Sequence, residues 1–338
     1  MKETSLRLHT EGNGIFNENG EPVLLRGVNC AGLEWDAGND RVLPAVLLAA
    51  DTWNANIIRL PVSQDRWFGY AKEQNDGSDR CSQESYRAIV DEIVRALAAR
   101  GKYLLLDLHW SDRGVWSEKS GQQLMPDENS VLFWQDAAAR YKDADNVLFG
   151  LYNEPHDVGW NVWLSGGDCP QKDGGLWRAA GMLGLIRAVR ETGAENLCVL
   201  GGLDWGYTFR GFDRWDALEA AGGNIVLDSH VYPWKPLDWD ADVGEAAAHF
   251  PLLIGECGHY GDDAKPNEGV QKLPAGEWVP RLLHWIEEHR YHLTAWDFHP
   301  GAGPCLITGF DGTPTPWYGA YVKEFLTAGE CRYSQEFN

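Results

Sequence analysis

Short apolar runs alternate with amphipathic stretches along most of the chain. The runs are "VLLRGVN" (23–29), "NIIRLPV" (56–62), "KYLLLDLHW" (102–110), "NVLFGLYNE" (146–154), "LCVLGG" (197–202), "NIVLDSHVY" (224–232), "PLLIGEC" (251–257) and "LTAWDF" (293–298). They read as apolar throughout rather than alternating, the pattern of parallel strands covered on their outer face. Between them the spacing predicts helices through "AVLLAADTW" and over 84–100, where "ESYRAIVDEIVRALAAR" carries apolar residues three and four apart and Gly101 follows as a stop. Further helices fit near 130–142, 176–192, 213–221, 242–249, 278–289 and 316–327. "ENGEP" (18–22) reads as the turn of an N-terminal β-hairpin ahead of the first run.

Eight strands with helices between them predict an α/β fold closed as a (β/α)8 TIM barrel behind a short N-terminal β-hairpin. An open doubly wound sheet is the alternative. It normally carries a glycine-rich phosphate turn after its first strand, whereas here the first strand runs into "CAGLEWDAG". No linker, low-complexity segment or fixed-period repeat interrupts the pattern, so residues 1–338 read as one catalytic domain.

Composition narrows the partners. With 338 residues and 44% hydrophobic content the chain can bury a large core. A formal net charge of −21 argues against nucleic acid and anionic membrane surfaces, which need a basic face. It leaves a neutral substrate open, and a monomer is the expected state. No apolar stretch approaches a membrane span. The first residues, "MKETSLRLHTEGNG", contain no apolar signal core. The protein is therefore expected to be cytoplasmic, or secreted or periplasmic if an export signal has been removed.

Seven cysteines occur without metal-ligand spacing. Cys30, Cys198 and Cys257 lie in or beside apolar strands and read as buried thiols. Cys81, Cys169, Cys305 and Cys331 lie in polar or Gly/Pro-rich surroundings, where one disulfide is open. The 17 tryptophans are more telling. Many sit in loop-like contexts, among them "GLEWDAG", "LHWSDRGVW", "VGWNVWLSGG", "GLDWGY" and "VYPWKPLDWD". Loop tryptophans offer flat apolar platforms, which suit the faces of pyranose rings.

In a barrel, chemistry gathers at the C-terminal ends of the strands. Those ends hold Arg59, His109, Asn153 and Glu154, His230 and Tyr232, Glu256, and Trp296. Structure alone would account for one or two polar strand ends, for instance an arginine–glutamate pair. So many on one rim indicate a site.

This ordered set resembles glycoside hydrolase family 5, the cellulase-type barrels of clan A. Members carry Arg in the second-strand region, His after the third strand, Asn-Glu after the fourth, His-x-Tyr after the sixth, Glu after the seventh and Trp after the eighth. The likeness spans roughly residues 20–326. It implies a retaining glycoside hydrolase in which Glu154 is the acid/base and Glu256 the nucleophile. Arg59, His109, Asn153, His230, Tyr232 and Trp296 would bind and support, with Trp296 the floor under the sugar. Arg59 and the Tyr232 hydroxyl are expected to favour ionised Glu256, whose charge would keep Glu154 protonated until the covalent bond forms. The Asn153 amide would reach the sugar 2-hydroxyl, and Pro155 would hold Glu154 in extended backbone. Trp35, Trp110, Trp116, Trp160, Trp205 and Trp234 are candidates for flanking subsites, with packing the competing reading for each.

The expected activity is endo-cleavage of a β-1,4-glucan, without cofactor or metal. Mannan, xyloglucan and exo-action are the alternatives within the family. A metal-dependent barrel hydrolase using His109, His230 and Glu256 would want an HxH pair at an early strand end, for which "DLH" is a poor substitute. A non-catalytic carbohydrate-binding barrel would usually have lost a glutamate, and both are present.

Overall fold

The computed structural model describes residues 5–77, 81–171, 174–263 and 271–328. Two strands, β1 (Leu8–Glu11) and β2 (Gly14–Asn17), form the N-terminal hairpin. Its tight turn falls at Gly12 and Asn13, with Gly12 at φ +56°, and not at 18–22. The "ENGEP" stretch is a second turn: Gly20 donates to the Asn17 carbonyl, and Val23 returns to Ile15.

The barrel begins with β3 (Arg26–Asn29), β4 (Ile57–Ser63), β5 (Tyr103–Trp110) and β6 (Val147–Gly150). An antiparallel pair, β7 (Gly167–Pro170) and β8 (Leu176–Ala179), then interrupts the repeat. It takes the first residues of the helix expected over 176–192, which starts only at Met182 and ends at Arg190. The exposed Leu176 and buried Trp177 explain the misreading: they alternate as a strand does, but sit where a helix period also fits. β9 (Cys198–Gly201), β10 (Ile225–Val231), β11 (Leu252–Cys257) and β12 (His292–Ala295) complete the barrel. All eight barrel strands are parallel, and β12 pairs back onto β3 to close it.

Two of the long helices are capped by side chains at their starts. The Ser82 side chain accepts from the Ser85 N–H and caps Gln83–Ala98, and Gly101 takes φ +65° just beyond its end. Asp127 caps Glu128–Tyr141 by accepting from the Ser130 N–H at 3.0 Å, while the Ser130 hydroxyl accepts from the Asp127 N–H at 3.0 Å.

Strand parity divides the core in two. Ile57, Leu105, Leu148, Val199, Val226 and Leu253 point inward and form one cluster with Leu8 and Ile15 of the hairpin, which therefore plugs the N-terminal end of the barrel. Their chain neighbours Ile58, Leu104, Leu106, Phe149, Leu200, Leu227, Leu252 and Ile254 pack outward in the larger cluster that includes the helices. Cys30, Cys198 and Cys257 are buried, as expected. Cys169 is also a buried free thiol, because β7 turns its side chain inward from a polar segment. Cys331 lies outside the described residues.

Candidate active site

Two residues above three of these inward apolar side chains, the barrel interior turns polar. Parity carries Ile57 to Arg59, Leu105 to Asp107 and His109, and Val226 to Asp228 and His230. These groups are buried, so each must find partners.

Arg59, 1% exposed, is the hub. One terminal nitrogen donates to Glu256 Oε1 at 2.7 Å and to Asn29 Oδ1 at 2.9 Å. The other donates to Asn153 Oδ1 at 2.6 Å and pairs with Asp107 Oδ1 at 3.0 Å. Burial opposes its charge, but Asp107 and Glu256 outweigh that and hold the guanidinium firmly protonated. Asn29 is itself pinned, its amide donating to the carbonyls of Gly255 and Thr294 at 2.9 and 2.7 Å.

Each histidine stands on an aspartate two residues earlier. His109 Nδ1 lies 2.8 Å from Asp107 Oδ2, and its ring stacks on Trp296 at 5.5 Å between centroids. Burial lowers the His109 pKa, but the hydrogen bond and charge of Asp107, together with the charges of Glu34 and Glu256, outweigh it and raise the pKa. His230 Nε2 lies 3.3 Å from Asp228 Oδ2. Its Nδ1 faces Glu154 Oε1 at 2.9 Å and Glu256 Oε2 at 3.5 Å. Burial again disfavours the charge, yet Glu256 and Asp228 prevail and push the His230 pKa up to about 10.

Glu256 reaches this layer through an irregularity in β11. The pairing with β10 slips between Ser229 and His230, so Ser229 faces Ile254 while His230 faces Glu256. Gly255 is left over, and the Asp228 carboxylate fills the space where its side chain would be: a Cβ there would lie 2.3 Å from Asp228 Oδ1. That oxygen accepts the Gly255 N–H at 2.7 Å. The second Glu256 oxygen accepts from the Tyr232 hydroxyl at 2.7 Å. Burial and the adjacent carboxylate keep that hydroxyl protonated by raising its pKa far above the usual range.

Glu154 lies four residues past the end of β6, with its side chain 18% exposed. The segment leading to it stays tied to the barrel by Leu151 N–H to the Val199 carbonyl and Asn153 N–H to the Leu108 carbonyl. One carboxylate oxygen of Glu154, one of Glu256 and a ring nitrogen of His230 all lie within 4.8 Å of one another. Thus Arg59, His109, Asn153, Glu154, His230, Tyr232, Glu256 and Trp296 do assemble at one mouth.

The other tryptophans separate. Trp205 is 42% exposed and lies flat on His156, two residues after Glu154, with 3.6 Å between ring centroids. Asp204 and Trp205 both adopt left-handed backbone, at φ +56° and +63°, held by Lys235 Nζ on the Asp204 carboxylate at 3.0 Å. Pro155 takes part here too, its carbonyl accepting the Trp205 N–H at 3.1 Å. Trp234 stacks on Tyr232 at 4.6 Å, extending the site from Glu256's own partner. Trp35 meets His299 edge-on, Trp110 has Arg66 over its ring, and Trp116 packs with Phe68 and Tyr70. Trp160 is half-buried and packs against Trp163, Phe209 and Phe212 at the edge of the core, the packing that competes with a subsite role.

Sequence reasoning missed Asn29, Asp107, Asp228 and Glu34. The signal for two of them was present: "DLH" and "DSH" repeat Asp-x-His at two strand ends, and period two puts both side chains on one face. Glu34 is 1% exposed; burial pushes its carboxyl up to about 7, and Oε1 has no hydrogen-bond partner.

Of the donors weighed for the metal-dependent alternative, His230 and Glu256 come together, but with Glu154 in place of His109. Among the described residues the one group close enough is Glu154, His230 and Glu256, without His109. In that group the His230 nitrogen facing the glutamates is engaged in hydrogen bonding to Glu154, and the other nitrogen faces Asp228. An imidazole with carboxylates at both nitrogens is built to carry two protons rather than to ligate.

Comparison with known proteins shows the family. Residues 16–302 match the family model described as cellulase (glycosyl hydrolase family 5). An endoglucanase of Paenibacillus polymyxa is 25% identical over 345 residues, covering 87% of this chain and 80% of that protein. Endoglucanase MaCel5A of Microbulbifer sp. is 31% identical over 339 residues, covering 94% of this chain but 57% of that longer protein. In fold, the β-glucanase SdGluc5_26A from Saccharophagus degradans, solved in complex with cellotetraose, superposes with a TM-score of 0.74 at 22% identity, covering 97% of this chain and 95% of that one. The chain belongs to the cellulase family, glycosyl hydrolase family 5, and is a glycoside hydrolase.

Proposed function

We propose that this protein is an endo-acting β-1,4-glucanase that works with retention, as a single catalytic domain and a monomer. The observation that carries the mechanism is the carboxylate pair. Oxygens of Glu154 and Glu256 lie within 4.8 Å. Retaining glycosidases separate their carboxyls by about 5–5.5 Å, and inverting ones by roughly 6.5–9.5 Å to admit a water.

The two carboxylates are also held differently. Both Glu256 oxygens are fixed, one by Arg59 and one by Tyr232, which suits an ionised nucleophile aimed at the anomeric carbon. Glu154 is more exposed and, among the described residues, pairs with the charged group His230, which suits a group that gives and takes a proton. In the first step Glu256 attacks the anomeric carbon while Glu154 donates its proton to the departing oxygen. In the second, Glu154 removes a proton from water as that water displaces Glu256. Asn153, steered by Arg59, offers its amide nitrogen to the sugar 2-hydroxyl, and Trp296 lies under the ring.

The glucan reading is supported by the endoglucanase names of the relatives and the cellotetraose bound by a structural neighbour. Exposed Trp205 and the Trp234–Tyr232 stack provide platforms for an internal cleavage site. A 2-fluoro-glucoside with a good leaving group should leave a covalent label on Glu256 in peptide mapping. Label on another carboxylate would refute the assignment. On soluble cellulose derivatives, rapid viscosity loss with mixed oligosaccharides supports endo-action, whereas one small sugar without viscosity loss, or preference for mannan, contradicts it. EDTA should leave the rate unchanged.

A further inference from the structure

We propose that Gln122 is a positioning residue for the sugar 2-hydroxyl: its side-chain carbonyl locks the plane of the Asn153 amide that reads that hydroxyl. The inference rests on the role given to Asn153 above.

Asn153 has one acceptor and two donor hydrogens on a planar group. Its Oδ1 is fixed by Arg59 at 2.6 Å. A single anchor at the oxygen leaves the amide plane free to rotate. The second anchor comes from Gln122, whose Oε1 accepts from Asn153 Nδ2 at 2.8 Å. The remaining Nδ2 hydrogen then lies on the side of His109 Nε2, 3.3 Å away. That contact to His109 is long, and the His109 ring stacks on Trp296, so in the proposed complex the sugar 2-hydroxyl above Trp296 takes this hydrogen over from His109.

Gln122 is itself oriented by a contact that settles which end faces Asn153. Its Nε2 donates to the Glu154 carbonyl at 3.1 Å, so its oxygen must be the end toward Asn153. The backbone on either side is fixed as well. Ser111 and Gly121 exchange two backbone hydrogen bonds. Gln123 N–H donates to the buried Tyr152 hydroxyl at 3.1 Å, and that hydroxyl donates to the Gln123 carbonyl at 2.7 Å. His156 N–H donates to the Leu124 carbonyl at 3.0 Å. Residues 121–124 are thus strapped alongside 152–156, and Gln122 projects from this strap. It is half-buried, not a core filler.

The test compares a nitrophenyl β-cellobioside with its analogue lacking the 2-hydroxyl on the sugar that bears the nitrophenyl group, corrected for spontaneous hydrolysis. Gln122→Leu should lower kcat/KM about tenfold on the parent and less than about twofold on the 2-deoxy analogue. Gln122→Glu keeps the acceptor for Asn153 and should retain the wild-type ratio between the two substrates, whatever its absolute rate. Asn153→Ala is measured beside them. If Asn153→Ala discriminates the substrates and Gln122→Leu does not, Gln122 has no such role. If Asn153→Ala itself hits both substrates equally, the role of Asn153 fails and this inference with it. Loss of the ratio in Gln122→Glu also overturns it.

Discussion

His230 Nδ1 lies 2.9 Å from Oε1 of Glu154, and the opposite nitrogen of the ring faces Asp228 at 3.3 Å. One imidazolium thus bridges a group fixed inside the barrel and a group at its mouth. It neutralises part of a strongly acidic interior without blocking the exposed face of Glu154.

That arrangement makes folding stability depend on alkaline pH. The folded pKa of His230 is raised to about 10, from about 6.5 in an unfolded chain. A raised pKa contributes stability that is fully present below about pH 6.5 and disappears as pH rises through about 10. Unfolding free energy should therefore fall over that window in the wild type, and His230→Gln should flatten the slope. Parallel curves would show that the ring is not charged in the native state.

Removal of the acid should be felt according to the leaving group. Glu154→Ala should lose about 10³-fold or more on glucan but far less on aryl glycosides with good leaving groups, which need no protonation. Azide should restore turnover and yield a β-glycosyl azide. Equal losses without rescue would assign the proton to another residue.

Glu34 should behave as a latent instability. Burial raises its carboxyl from 4.5 to about 7, so stability falls as pH rises through that interval and the group ionises. Glu34→Gln keeps an acceptor for the Gly32 N–H, which now donates to Glu34 Oε2 at 2.7 Å. The variant should be more stable than wild type at pH 8 by roughly 1–3 kcal/mol, and by much less at pH 5. A constant difference across pH, read from denaturant melts, would mean that the carboxyl is never neutral.

Two tryptophans that look alike in the sequence should fail differently. Trp205→Ala should cut kcat/KM on long cello-oligosaccharides roughly three- to tenfold with Tm nearly unchanged, because its exposed face is the part that would touch sugar. Trp160→Ala should lower stability by about 3 kcal/mol, because the ring is packed against Trp163 and Phe212. Calorimetry and kinetics on both variants distinguish the two; a reversed pattern would exchange their roles.

The eight strands were legible because each is an apolar run bounded by a helix with its own period and stop signals. Their ends were legible because Arg59, His230 and Glu256 break apolar runs that have no structural use for charge. Asp107 and Asp228 escaped attention because an acid two residues before a histidine looks like one more polar position until barrel closure turns both inward. Leu176–Ala179 was misassigned because its partner, Gly167–Pro170, becomes a partner only in three dimensions. Trp160 and Trp205 share a loop-like context, and only the packing of Phe209 and Phe212 against one of them tells them apart.

The occupied space beside Gly255 carries a consequence for how such a sequence can vary. The Asp228 carboxylate stands where any larger residue would begin, and it also supports His230. Position 255 touches no sugar in the proposed mechanism, yet a library of its nineteen replacements should yield almost no active clones. A lineage that altered its substrate by reshaping the surrounding loops would carry this hydrogen atom through unchanged.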